Sequence, residues 1–252
     1  MRLSVMWPDW LADWIDKLVD QFILNFIKDD RYLFILKGLG FTMLVTFFAV
    51  LLGIALGFVC AIVRSTYDKI YPEMRQGFGK VVLCIVNKIV HLYLTVIRGT
   101  PVVVQLMIMY FIIFASSKNK LLVSILAFGI NSGAYVAEIV RSGIMSIDNG
   151  QFEAGRSLGF NYVQTMVYII VPQAFKNVLP ALANEFIVLL KETSVSGYIG
   201  LEDLTKGGDI IRSRTYTAYM PLLTVALIYL IIVIFFSKLV SMLERRLRNS
   251  ER

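Results

Sequence analysis

The stretch that decides the fold is Gly38 to Val63, GLGFTMLVTFFAVLLGIALGFVCAIV, which runs 26 residues without a charge. About 20 mainly apolar residues are enough to cross a bilayer as a helix, so this segment is read as a span. Three more runs follow the same logic. Gly99 to Ser117 gives 19 uncharged residues interrupted by Gln105, and Thr215 to Ser237 gives 23 that lead into Lys238. Leu121 to Ala137 carries polar Asn131 and Ser132 and runs on into Glu138 and Arg141. Composition agrees. Of 252 residues, 57% are apolar (AVILMFWYC) and 17% charged, against roughly 45–50% and about 25% in soluble domains, and the mean hydropathy is +0.70. A soluble globule has nowhere to hide that much apolar surface, which excludes a soluble enzyme and a disordered chain. Two cysteines exclude a disulfide scaffold. The fold class is an all-α polytopic membrane bundle.

Two segments need a decision. Val81 to Ile97 is apolar but contains Lys88 and His91, and is read as a helix in the interface or leading into the next span. Ser157 to Phe175 is uncharged, yet it contains Pro172 and is followed by apolar Val178 to Leu190. Both cannot cross without a tight turn, so one span is expected from near Pro172, preceded by a cytoplasmic loop over about 142–171. The total is five spans. Arg64, Lys69, Arg75, Lys80, Lys88 and Arg98, and the tail residues Lys238, Arg245, Arg246, Arg248 and Arg252, belong inside by the positive-inside rule. An odd span count then leaves the N-terminus outside. There Asp9, Asp13, Asp16, Asp20, Asp29 and Asp30 outnumber four basic residues. The tail reads as a topology signal rather than a nucleic-acid patch.

The chain divides into an N-terminal segment 1–31, a membrane domain 32–246 and a basic tail 247–252. Acidic residues stand where a cleavable signal peptide has its apolar core. Trp7, Trp10 and Trp14 recur at helical spacing, which suits either an interfacial amphipathic helix or a plain lead-in to the first span. Cys60 falls in a span and Cys84 in the basic segment, so no disulfide is expected between them. His91 stands alone and reads as an interfacial side chain rather than a metal ligand.

The stretch after the third span reads SGIMSIDNGQFEAGRSLGFNYVQTMVYIIVP. Asp148 suits an N-cap and Gly159 a helix stop with positive φ. A capped helix of this kind either docks a partner or packs on its own bundle. Glu153-Ala154-Gly155, three residues, Gly159, nine residues, Ile169, one residue and Val171-Pro172 resemble the EAA motif of permease subunits of ATP-binding cassette importers, with Gly155 for the second alanine and Val171 for leucine. Arg98-Gly99-Thr100-Pro101 with Val104-Gln105 resembles a stretch of the branch that imports polar amino acids. Ala134-Tyr135-Val136-Ala137-Glu138-Ile139-Val140-Arg141 resembles a second, and Asn184-Glu185-Phe186-Ile187 with Leu189-Leu190-Lys191-Glu192-Thr193-Ser194 a third, where Glu192 replaces the usual aspartate.

The resemblance implies a type I importer permease in the bacterial plasma membrane, working by alternating access. Glu153, Ala154, Gly155, Gly159 and Pro172 would belong to the coupling loop that meets a separate ATPase. The implied partners are two such ATPase subunits, a second permease subunit (the same chain or a paralogue), an extracytoplasmic binding protein and membrane lipid, with no nucleic acid. This chain is expected to be non-catalytic and to hold no cofactor or metal. ATP and Mg belong to the partner, because Gly77-Phe78-Gly79-Lys80-Val81 fails the spacing of a phosphate loop and lacks its hydroxyl.

Charges inside a span face a cavity or a partner by default. Glu185 and Lys191, with Glu192, Thr193, Ser194 and the neighbouring Gln105, are therefore candidate pathway residues for an amino acid's ammonium and carboxylate. Lys191 and Glu192 lying solvated at the outer interface is the alternative. Glu138 and Arg141, three apart, are expected to pair. A self-sufficient channel or secondary transporter is the competing function; it calls for its own coupling-ion site and commonly inverted repeats.

Overall fold

The computed structural model describes residues 9–249; Trp7 and the end of the basic tail, Arg252 included, lie outside the described residues. Every regular element among the described residues is helical. In order these are α1 (Asp9–Phe22), α2 (Tyr32–Ile70), α3 (Phe78–Arg98), α4 (Val102–Ile108), α5 (Lys120–Met145), α6 (Asn149–Ser157), α7 (Tyr162–Thr165), α8 (Val171–Glu192), α9 (Leu204–Thr215) and α10 (Tyr219–Asn249). Among the described residues, five continuous helical stretches are long and apolar enough to cross a membrane.

The centre of the bundle is the contact between α2 and α5. Gly53 faces Ser132, Gly57 faces Val136, and Gly129 faces Leu52. The constant offset along both helices means that they run parallel. A Cβ on Gly53 would sit 2.8 Å from the Ser132 Oγ, one on Gly129 would sit 2.6 Å from the Leu52 Cδ2, and one on Gly57 would overlap Val136. Membrane helices gain association energy from such close packing, since lipid supplies no hydrophobic drive between them. Val45, Ala49, Ala127 and Phe128 extend the same seam to one end, and Ala61, Val140 and Ile144 to the other.

Parallel neighbours need a return crossing, and the sequence builds it in two pieces. α3 climbs from Asn87, which accepts from Arg64 at 3.1 Å, to Tyr93, whose hydroxyl donates to the Ile130 carbonyl at 2.6 Å. The chain then breaks at Gly99-Thr100-Pro101, and α4 with a π turn over Met109–Ile113 completes the path. Val81 to Ile97 thus leads into the crossing. Gly99 to Ser117 is not a span by itself as expected from its hydropathy: its helix, Val102–Ile113, is short, and α3 supplies the other half. Pro101 has no N–H for a continuous ladder, which forces the break.

The expected loop over 142–171 is also narrower. α5 runs to Met145, α6 follows, and a helix begins again at Tyr162. A capping box starts it: Asn161 accepts from the Gln164 N–H while the Gln164 side chain accepts from the Asn161 N–H, both at 2.9 Å, satisfying two orphan donors. A π turn at Met166–Ile170 carries the chain past Pro172 into α8 without a stop. α8 runs opposite to α5, with Val178 against Gly143 near one end and Glu185 against Ser132 further along. The 3-10 turn Thr193–Ile199 ends it.

At the end of the bundle away from α6, α9 wedges between α2 and α10. Gly38 admits the Asp203 carbonyl, Gly207 the Phe34 carbonyl, and Gly208 the Val225 side chain. The Asp203 Oδ1 caps α9 by accepting from the Lys206 N–H at 2.9 Å, and the Leu204 N–H donates to the Thr42 Oγ at 3.1 Å. The Asp203 Oδ2 is buried without a partner. The π turn Ile23–Ile27 that follows α1 is at the same end, tied in where Thr215 and Thr217 donate to the Asn25 Oδ1 at 2.8 and 2.7 Å. Trp10 and Trp14 on α1 are exposed, and Cys60 and Cys84 are both free.

Two outcomes follow from this packing. Gly57→Leu drives a branched side chain into Val136 and overpacks the seam, a cost of about 1–3 kcal/mol. Gly40→Leu, where nothing lies within 4 Å of the added Cβ, leaves stability unchanged. Thermal unfolding in detergent separates the two. Burial pushes the Asp203 carboxyl up to about 7, outweighing the hydrogen bond from the Lys206 N–H. The native state therefore binds this proton more tightly than the unfolded chain does. Its contribution is full below the unfolded pKa of about 4 and is lost as pH rises through about 7. Asp203→Asn keeps the cap and the neutral form. Its melting temperature is expected to exceed the parent's at about pH 8 and to lack the parent's fall between about pH 4 and about pH 7; identical pH profiles would exclude ionisation at this site.

Candidate functional site

Two places bring the sequence-selected residues together, one at each end of the bundle. The first is α6. The Asp148 Oδ1 accepts from the Gly150 N–H at 2.6 Å, and the helix ends at Gly159, whose φ of 79° is the left-handed conformation that glycine adopts freely. Glu153 and Ala154 point outward, and Leu158 beyond them is 71% exposed. Gly155 does the opposite. It is buried, and a Cβ there would meet Thr165 at 2.7 Å and Ile169 at 3.2 Å. Its smallness lets α6 pack on the start of the following helix, while Ala154 is the small residue on the outer face. Gln173 donates to the Gln151 side chain at 3.2 Å, and Asn177 to Ser146 at 3.1 Å. Pro172 lies inside a continuous helical run rather than at its start.

Around the far end of α8 the selected polar residues divide. Glu185 is buried and turned toward α5, where its Oε1 accepts from the Ser132 Oγ at 2.9 Å. Gln105 is committed to the helix break: its Nε2 donates to the Ile97 carbonyl at 2.7 Å and to Thr100, and its Oε1 accepts from Asn131 at 2.9 Å. Thr193 is buried and donates to the Leu190 carbonyl at 2.8 Å. Glu192 is half-buried beside it. Lys191 and Ser194 open onto a groove instead.

That groove consists of two adjoining hollows of about 340 and about 310 Å³, both lined by Ser194, Thr205 and Leu222. Lys191 and Tyr229 close one side, Lys206 and Asp209 the other. Lys206 and Arg212 both reach Asp209, at 2.9 and 2.6 Å, and these hydrogen-bonded cations hold its carboxyl below the ordinary range. The groove therefore offers the Lys191 ammonium and hydroxyls within one concavity, a set able to face an anionic group, while its one carboxylate is already paired with two cations. Sequence reading misses Thr205, Lys206, Asp209 and Tyr229. The first three sit on α9, too short to read as a span, and Tyr229 hides inside an uncharged run. The Asp203 N-cap three residues before Lys206 is the one signal that marks α9.

The Glu138 and Arg141 side chains pair at 2.8 Å and belong to a longer chain of charges. Arg98 approaches Glu138 at 3.6 Å, and Arg141 reaches Asp68 at 3.3 Å. The ends of α3, α5 and α2 are thereby linked. These side chains are 27–43% exposed, so each contact is individually modest.

Residues 84–249 match the family of binding-protein-dependent transport system inner membrane components. Among similar proteins, the putative glutamine transport system permease protein GlnP of Rickettsia typhi is 33% identical over 86% of this chain and 94% of its own length. The arginine transport system permease protein ArtQ of Bacillus subtilis is 34% identical over 86% and 94%. A crystal structure of an amino acid ABC transporter with histidines superposes with a TM-score of 0.74 at 39% identity, covering 96% of this chain and 100% of that one. The inward-facing MetNI methionine transporter, at 18% identity and a TM-score of 0.71 over 87% and 99%, shares the fold. Matched over most of its length in sequence and in backbone, the chain belongs to the family of binding-protein-dependent transport system inner membrane components.

Proposed function

We propose that this chain is the permease subunit of an ATP-driven importer of polar amino acids, forming half of the translocation pathway and leaving ATP hydrolysis to a separate subunit. The observation that carries the proposal is α6. It is a capped helix outside the spans, held on its own bundle through Gly155 while Glu153, Ala154 and Leu158 face outward. A surface of that kind, on a sequence without a phosphate loop, fits the groove of a separate ATPase subunit. The glutamine and arginine systems among its relatives support amino acids as the substrate class.

In this reading the α6 end faces the cytoplasm and the α9 end faces out. The basic residues support it: the Arg64 end of α2 and the Arg245-Arg246 end of α10 lie on the same side of five crossings. Two ATPase subunits bind ATP and Mg, close on each other and move the coupling helices. Two permease subunits, identical or paralogous, then switch the shared path between inward-facing and outward-facing states. A binding protein delivers the amino acid at the α9 end. There Lys191, Ser194, Thr205 and Tyr229 provide a cation and hydroxyls suited to an α-carboxylate.

Glu153→Lys reverses the charge on the docking face, and transport in proteoliposomes containing the ATPase subunit is expected to be lost together with ATPase binding. If the purified chain alone moved an amino acid down its gradient, a self-sufficient channel or secondary transporter would replace this reading. Lys191→Ala is expected to weaken substrate affinity in an assembled complex roughly 10-fold, as for loss of one charge-assisted hydrogen bond. Glu185→Ala is expected to lower transport by freeing Ser132. Unchanged affinity and rate in both variants would remove these residues from the pathway.

A further inference from the structure

The link between α2 and α6 lies outside the family-matched residues 84–249 on its α2 side. α2 is 39 residues long, about 58 Å at 1.5 Å per residue, and it overruns a hydrocarbon core of about 30 Å. Two consecutive residues of its last turns reach different elements. Asp68 accepts from Arg141 of α5 at 3.3 Å. Lys69 donates to the Asn149 Oδ1, on the first residue of α6, at 2.7 Å, and its ammonium lies 4.4 Å from the centre of the Phe152 ring on the same helix. On its other side α6 rests on the α7–α8 run through Gly155 and Gln151. Two contacts of different chemistry thus converge on one ammonium, and they join α6 to the helix that α5 grips most closely.

We propose that Lys69 is a positioning residue that ties the coupling helix to the α2–α5 pair, so that displacement of α6 by the motor turns α2 and α5 as well as α8. The physical case is mechanical. The glycine seam leaves α2 and α5 no room to slide, and α6 has a hinge at Gly159 toward α7. α6 is already joined to α5 through residues 146–148 and to α8 through α7; Lys69 adds a direct tie to α2. Through that tie α2 and α5 are pushed together, so the seam moves as a unit with Ser132 and Asn131, which hold Glu185 and Gln105. An arginine preserves the charge, the donor and the stacking over Phe152, whereas methionine keeps the apolar stem and removes all three.

The proposal rests on α6 being the motor's docking helix, and the test keeps the two ideas apart. The full complex with its cognate ATPase subunit and binding protein is reconstituted in proteoliposomes, and both ATP hydrolysis and amino acid uptake are measured. Lys69→Met is expected to retain ATPase binding and hydrolysis while uptake per ATP falls roughly fivefold or more, the scale of a typical coupling energy. Lys69→Arg restores the ratio, and Lys69→Met with Phe152→Leu loses no more than the worse single variant. An unchanged ratio in Lys69→Met, or failure of arginine to rescue, overturns the proposal. Loss of ATPase binding in Lys69→Met also overturns it, because Lys69 would then be a docking contact. If the unaltered chain neither binds nor needs an ATPase, the functional reading itself falls.

Discussion

Gly53 and Gly57 of α2 lie against Ser132 and Val136 of α5 at a distance no larger side chain permits. The other elements are arranged around that contact. Two long helices running parallel, with no α2 side chain between their backbones at those levels, require a return path. The chain supplies it with α3 and α4, broken in the middle. The seam also places the polar residues of α5 within reach of neighbours on either side: Asn131 meets Gln105, Ser132 meets Glu185, and the Ile130 carbonyl takes the Tyr93 hydroxyl. These three donors, costly if left unpaired in lipid, find acceptors because the helices are this close, while the Asn131 Oδ1 is buried without a partner.

The same seam separates the two ends of the molecule. At one end, α6 hangs beneath α5 and α8, capped by Asp148 and stopped at Gly159. At the other, α9 is wedged between α2 and α10 through further glycine contacts and carries a buried carboxyl. On the reading proposed above, coupling a motor to a substrate site uses such a rigid connection between distant ends. Here α2 extends through the bundle to touch both, Thr42 at α9 and Lys69 at α6.

Much of this is legible in residue order. Gly38 to Val63 is too long and too apolar to be anything but a span. Asp148 and Gly159 bracket a helix whose limits the structure places at Asn149 and Ser157, and Glu138 with Arg141 sits at pairing distance. Hydropathy is less informative where polar residues and prolines interrupt it. It divides α3 from α4 at the observed break but gives the crossing to the second piece alone, because Lys88 and His91 lower the score of a helix that nonetheless enters the bundle. It also treats Pro172 as a beginning, since a one-dimensional pattern does not contain the π turn that carries the helix past it.

Apolar runs, basic flanks and the spacing of Glu153, Gly159 and Pro172 follow from sequence alone, because each depends on local chemistry: transfer of side chains into lipid, attraction of cations to one face, and the backbone needs of a short capped helix. Gly155 shows the limit. The sequence requires it to be small, but only the packing decides that its smallness faces Thr165 while Ala154 faces outward. The groove of Lys191, Ser194, Thr205 and Tyr229 is likewise a tertiary product, since it joins three helices whose relative placement is set by glycine contacts far apart in the chain. No local pattern brings Lys69 to Asn149 either. They are 80 residues apart and meet because α2 and α5 run parallel, which follows from the fit of two helical surfaces.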